Sequence, residues 1–351
     1  MKKLLFLVVI MSLILGSTTS IAWAGGNARR PAIEAGADRV VGLQRTDAGW
    51  EGTWHWTVDS TGNATNLTGV TALGLLEAYR DVKDPAYLDA AVDAAEFIQA
   101  HLGAGADVTQ QYHTRLTAPD IVFLHRLSEV TGDPTYATRA SLEWDNLKIT
   151  YSTADDLDAL FRAINRPSAW DIAFFLEAAH LSGDTVWADD AAAILSDTSL
   201  DFYYGDDTWW YALNVAGAIR ALIGCGYTDQ YYVNLVELYG ELISLSDDDN
   251  GVGGYVQDTA YAVLAFQTVG GPAHKYSNSL GRWLSGQQGE TGGWLEDEYE
   301  YPEVDGEAVR ALASTIGTNN TLDGFEPGTT ANSSWRRAAA PGQAAVPFNG
   351  D

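Results

Sequence analysis

Apolar, alanine-rich helical segments return along this chain at intervals of roughly fifty residues, and a period of that size decides an architecture before any single element does. They begin near Leu67 ("LTGVTALGLLEAYRDV"), Thr117 ("TAPDIVFLHRLSEVTG"), Ser168 ("SAWDIAFFLEAAHLSG"), Trp210 ("WYALNVAGAIRALIG"), Asp258 ("DTAYAVLAFQTVG") and Val304 ("VDGEAVRALASTIG"). Each of the first five is followed by a break of Gly, Asp or Pro and then a more polar helix. Asp84 and Asp133 read as N-caps of two of these, with proline at the first helical position. The sixth polar helix lies at the other end of the chain, where residues 30–44 read "RPAIEAGADRVVGLQ". Alternating apolar and polar helices in these numbers predict an all-α (α/α)6 toroid, six inner helices packed on nearly all sides and six outer ones with a solvated stripe.

Residues 1–24 have the layout of a secretory signal peptide: two lysines, an apolar run, then Ala22-Trp23-Ala24. The run from Leu4 to Gly16 is shorter than the roughly 20 residues that span a bilayer, so no membrane span is expected after processing. Residues 25–318 then form the toroid domain. Residues 319–351, rich in Gly, Pro, Ser, Thr and Ala without periodicity, read as a flexible tail. The expected location is secreted or at the cell surface, with a periplasm as the alternative. A formal net charge of −27 argues against nucleic acid and anionic membrane as partners, since both need clustered Lys and Arg. Cys225 is the one cysteine, so an intramolecular disulfide and a cysteine-based zinc site are both excluded. "SDDDNG" at 246–251 lacks the first Asp and last Glu of an EF-hand, no metal site is expected, and no residue set selects a cofactor.

Two stretches place glutamine six residues before tryptophan just after a polar helix: "QRTDAGW" from Gln44 and "QGETGGW" from Gln288. A third, "DNGVGGY" from Asp249, puts Asp and Tyr in their places. Glycine ends the helix in a left-handed turn, the aromatic packs over the end, and the amide bonds orphan helix groups. This pattern resembles the Gln-Trp repeats of the squalene/terpenoid cyclase and protein prenyltransferase α/α toroid superfamily, most strongly from Trp210 to Thr315. The resemblance implies the same fold and a terpenoid cyclase or prenyl-transfer activity as one alternative. Against the cyclase acid motif, Asp258, Thr259 and Ala260 match "VQDTAYAVLAF", but Gln257 stands where the proton-donating Asp belongs. The zinc ligands of the prenyltransferases are missing as well.

In such a toroid the inner helices run one way, so the loops entering them converge on one mouth. The acidic residues at those entrances, Asp120, Asp171, Asp258, Asp305 and Glu307, are the candidate catalytic groups, each with the plainer reading of a first-turn carboxylate favoured by the helix dipole. Aromatics crowd the same loops, and Trp50, Trp54, Trp56, Trp209, Trp210, Tyr255 and Trp294 are the candidate substrate-binding residues. Flat rings beside carboxylates suit sugars, which stack their C–H faces and bond their hydroxyls to acids. The leading expectation is therefore recognition or processing of a glycan, a polysaccharide or other small-molecule ligand, by hydrolysis or lysis at an acidic, aromatic pit. A neutral glycan is preferred, because a lyase must neutralise a uronate. A non-catalytic binding module is the alternative.

Overall fold

The computed structural model describes residues 29–61, 67–101, 113–151, 169–197 and 211–316. The leader (1–24) and tail (319–351) read from the sequence lie outside the described residues, as do Trp209 and Trp210. Among the described residues there are twelve α-helices. The outer set comprises α1 (Arg30–Leu43), α3 (Pro85–His101), α5 (Pro134–Tyr151), α7 (Thr185–Ser196), α9 (Tyr232–Leu245) and α11 (His274–Gln287). The inner set comprises α2 (Thr68–Val82), α4 (His113–Thr131), α6 (Ala169–Leu181), α8 (Tyr211–Gly224), α10 (Val256–Val269) and α12 (Pro302–Ser314). Two small hairpins, β1 (Ser246–Asp247) with β2 (Gly251–Val252) and β3 (Leu295–Glu296) with β4 (Tyr299–Glu300), lead into α10 and α12.

Each inner helix packs on the next, α2 on α4, α4 on α6, and so on to α12, which returns to α2 and shuts the ring. The outer helices lie against this cylinder, and α1 sits over the seam between α12 and α2. The predicted (α/α)6 toroid is the observed fold. Burial follows the layering: Leu73, Ile121, Ile172, Ile219, Val263 and Leu312 on the inner helices are all inaccessible or nearly so. Asp84 and Asp133 cap α3 and α5 as read, each Oδ1 accepting the N–H two residues on at 2.9 Å. Cys225 is buried at the end of α8.

The glutamine–tryptophan elements work as braces. Gln288 ends α11, and its amide donates to Ala32 O of α1 (2.8 Å) and Gly292 O (2.7 Å). Gln44 ends α1 and donates to Ala90 O of α3 (2.8 Å) and Gly52 O (3.1 Å). Three successive outer helices, α11, α1 and α3, are thereby tied edge to edge. The Trp294 indole donates to Leu284 O at 2.8 Å, one of the α11 carbonyls left without an intrahelical partner. Its counterpart over α1 is Trp54, whose indole donates to Val40 O at 2.8 Å, so the first copy runs from Gln44 to Trp54. Trp50, six residues after Gln44, is half-buried, lies under the Arg45 guanidinium (4.9 Å) and packs on Phe97 of α3. In the third copy the helix-ending position of α9 belongs to Ser246, not Asp249, and its hydroxyl donates to Leu242 O.

Candidate functional site

The inner helices share one further device, a polar residue that reaches back to cap the helix before it. Asp120 of α4 accepts from Gly69 N of α2 (2.9 Å), Asn214 of α8 from Trp170 N of α6 (3.0 Å), and Asp258 of α10 from Leu213 N of α8 (2.9 Å). First-turn N–H groups have no partner inside their own helix, so a neighbouring acceptor satisfies them. The bonds also show that α6, α8 and α10 begin level at one end of the cylinder, while the start of α2 is level with Asp120, two turns inside α4. Glu296 of β3 completes the row by accepting from Val256 N (2.7 Å) and Gln257 N (3.0 Å) of α10.

Three of the predicted catalytic carboxylates are thus buried and committed to backbone. Asp120 and Asp258 are caps, and Asp305 accepts from Trp294 N at 2.7 Å while lying against Glu300. Glu300 in turn takes Arg39 of the outer helix α1 on both oxygens (2.6 and 3.0 Å), so Asp305 belongs to a polar joint in the wall. Burial pushes the Asp120 and Asp305 carboxyls well above the usual range, and raises Asp258 to about 8, with Glu296 adding to the effect.

Asp258 yields a clear expectation. Its folded-state value lies above the unfolded 3.8, so its contribution to stability is full below about pH 4 and is lost as pH rises toward about 8, at roughly 1.4 kcal/mol per pH unit. Asn214 already performs the same bond with an amide oxygen. Asp258→Asn is therefore expected to keep the cap and flatten the pH dependence, with a higher thermal midpoint than the parent protein at pH 8 and a similar one at pH 4. Equal slopes for the two proteins would show that this carboxyl is not held protonated.

The remaining acids face the axis. On α12, Glu303, Glu307 and Arg310 recur at intervals of four and three, one stripe of a helix. Glu303 is half-buried near the mouth, and its carboxyl is raised to about 7 by burial and then by Asp171, half-buried in the first turn of α6. The helices α6 and α12 stand opposite each other in the ring of six, so the repulsion between these two carboxylates acts across the middle of the ring. One turn deeper, Glu307 Oε2 accepts from Gln257 Nε2 at 2.9 Å, and burial followed by Glu303 drives its carboxyl well upward. Gln257, in the place of the cyclase proton donor, is an amide that donates a hydrogen bond to a carboxyl group. Trp170 of α6 and Tyr261 of α10 (ring centroids 6.0 Å) meet inside the ring, in front of the intervening α8.

Of the predicted aromatic residues, Trp56 is 44% exposed and forms a ledge at the mouth with Tyr301 (5.9 Å, edge-on), which itself meets Tyr299 at 6.4 Å. Tyr255, at the N-cap of α10, is half-buried at the same end. Trp54 and Trp294 are wholly buried braces and Trp50 packs against an outer helix, so none of the three reaches the mouth. Sequence reading passed over Glu303 and Arg310 and took Gln257 only as a missing acid; the signal for them was a polar stripe on a helix otherwise built to be buried.

No protein-family model and no curated protein sequence matches this chain. Solved structures match its fold. The GH76A alpha-1,6-mannanase of Salegentibacter sp. HEL1_6 superposes with a TM-score of 0.61 at 14% identity, over 83% of this chain and 99% of that one. An inactive variant of that enzyme, with two consecutive aspartates changed to asparagine, in complex with alpha-1,6-mannotriose, gives 0.57 at 12% identity, covering 82% and 99%. An unsaturated glucuronyl hydrolase specific for heparin gives 0.58 at 11% identity, covering 83% and 98%. The class defined by the fold is the α/α toroid, and it includes these two glycoside-cleaving enzymes. At such identities the likeness is one of fold.

Proposed function

We propose that this chain is an exported glycan-processing enzyme, a glycoside hydrolase whose reacting groups are Glu303 and Asp171. The observation that carries the reading is a pair of carboxylates in the first turns of opposite inner helices, one of them raised to about 7 by burial and by the charge of the other. A carboxyl held near neutrality serves as general acid toward a leaving-group oxygen, while its ionised partner activates water or attacks the sugar. Glu307 and Gln257 brace that pair from below, and Asp120, Asp258 and Asp305 hold the helix ends that position it. Trp56, Tyr299 and Tyr301 offer stacking faces at the entrance. Structural neighbours that are an alpha-1,6-mannanase and an unsaturated glucuronyl hydrolase specific for heparin support a sugar as substrate. Export rests on the leader at 1–24; among the described residues no helix is long and apolar enough to cross a membrane.

The test is incubation of the full chain with a panel of neutral and acidic polysaccharides, reading new reducing ends. We expect release from at least one member, reduced at least about 100-fold in Asp171→Asn with helicity intact. Saturable binding with no turnover, weakened by Trp56→Ala, would make the protein a glycan-binding module; a cyclic product from a polyprenyl substrate would replace the glycan reading altogether.

A further inference from the structure

This chain has 47 acidic residues against 20 basic ones, yet arginines gather at the base of its central pit. Six residues beyond the capping position, four consecutive inner helices carry Glu77, Arg126, Glu177 and Arg220, an alternating belt of charge. Arg126 bonds both oxygens of Glu129 at 2.9 Å, Arg80 bridges Glu77 (3.0 Å) and Glu129 (3.6 Å), and Arg220 Nη1 meets Glu177 Oε1 at 2.5 Å. Arg310 of α12 enters this belt without an ion pair or hydrogen bond of its own among the described residues, though it lies in the fields of Arg220, Glu177 and Glu77. Arg310 is therefore surplus to the ion pairs of the belt, in which Arg80, Arg126 and Arg220 are already engaged.

The surplus is visible as unused donors. Nε and Nη2 of Arg220 and Nη1 of Arg310 are buried without a hydrogen-bond acceptor, and Arg220 as a whole is 7% exposed, whereas the Tyr261 hydroxyl lies against the Glu307 carboxyl. A guanidinium cannot shed its proton, and burying one without an anion is expensive. Arg310 stands on the same stripe as Glu303 and Glu307, two turns below the mouth and on the pit side. Convergent, unfilled, planar donors beneath a pair of carboxyl groups describe a receptor for a planar anion.

We propose that the pit reads an acidic sugar, a uronate unit whose carboxylate is received by Arg310 and Arg220. This rests on the glycan-processing reading above and narrows it, replacing the neutral glycan favoured by the sequence. The carboxylate supplies the acceptor that these buried N–H groups lack, and the paired N–H groups fix the ring's orientation under Glu303.

The experiment is calorimetric titration of the full chain with three oligosaccharides of one length, an oligouronide, a neutral oligosaccharide and an O-sulfated neutral one, at two salt concentrations. The oligouronide is expected to bind at least about tenfold tighter than the other two, with affinity falling as salt is raised. Arg310→Gln should remove that preference, and Arg310→Lys should restore part of it, since the charge returns without the fork. In the ligand-free protein Arg310→Gln should also raise the thermal midpoint, because an unpaired buried cation is removed; a lower midpoint would mark Arg310 as structural and overturn the proposal. Equal affinity for neutral and acidic forms would overturn it while leaving the glycan reading standing, and equal binding of uronide and sulfated sugar would overturn the carboxylate assignment. Absence of binding to any oligosaccharide, with no cleavage of the polysaccharide panel, would remove the glycan reading as well. The comparison among ligands is made on the parent protein, so it decides even if a variant misfolds.

Discussion

Glu303→Gln is expected to lower kcat by about 10²- to 10⁴-fold with little change in KM, because the amide keeps the shape and polarity of the side chain but has no proton to give. The same group sets the alkaline limb of the pH profile. Its carboxyl is raised to about 7, so the donating form is present below that value and disappears above it, and kcat should fall tenfold per pH unit on the far side. Burial is the larger cause of the shift and Asp171 the smaller, which gives a second readout. In Asp171→Asn the negative charge across the pit is gone, so the Glu303 carboxyl, followed by residual activity or by its own titration, should ionise at a lower pH. An alkaline limb that stays near 7 in Glu303→Gln, or a titration that moves upward in Asp171→Asn, would assign the acid to another group. Glu307 is the nearest alternative, being coupled to Glu303 and itself raised by burial.

How much of this was readable beforehand differs between the scaffold and the site. The scaffold is a matter of period, and a period survives in a single sequence: six apolar segments, five polar ones after them and the displaced N-terminal helix at 30–44 were enough to close the ring. The braces were half legible. Gln44 and Gln288 were seen as helix enders, but four extra residues before Trp54 hid it behind Trp50, which happened to fall at the matching distance. The site was harder, because an inner-helix carboxylate faces either a neighbouring helix or the axis, and a few tens of degrees about the helix decide which. Asp120 and Asp258 turned sideways to cap their neighbours. The clue was Asn214, which occupies the same repeat position with an amide, so the position demands an acceptor and not an acid. The axial residues Glu303, Glu307 and Arg310 stood in plain sequence as a charged stripe on an inner helix, but reading them needed the ring's centre to be placed first. The acid-rich stretch before α12 is accordingly several devices in a row: Glu296 caps α10, Glu300 holds Arg39, Asp305 takes the Trp294 amide, and only Glu303 and Glu307 enter the pit.

Closure itself makes the remaining large prediction, and it concerns residues without a side chain. Where the last inner helix returns to the first, Gly74 of α2 and Gly306 of α12 bring two backbones together. A Cβ on Gly74 would overlap the Gly306 carbonyl oxygen and lie 2.8 Å from its Cα; one on Gly306 would lie 2.8 Å from both Cα and O of Thr71. These neighbours are helix backbone, so nothing can rotate away, and the seam would have to open. Gly74→Ala is thus expected to destabilise by about 3 kcal/mol, the upper end of overpacking costs, and Gly74→Val by more. The sign is the informative part, since alanine ordinarily stabilises a helix interior relative to glycine by about 1 kcal/mol. Gly240, mid-helix in α9 and exposed with no atom near its missing Cβ, supplies the control: Gly240→Ala should raise the unfolding midpoint while Gly74→Ala lowers it. Because Glu303 and Glu307 flank Gly306 on α12, a strained seam should also shift the pit. Gly74→Ala is expected to reduce turnover before it unfolds the protein, and a variant that is both as stable and as active as the parent would mean that the first and last repeats do not meet so closely.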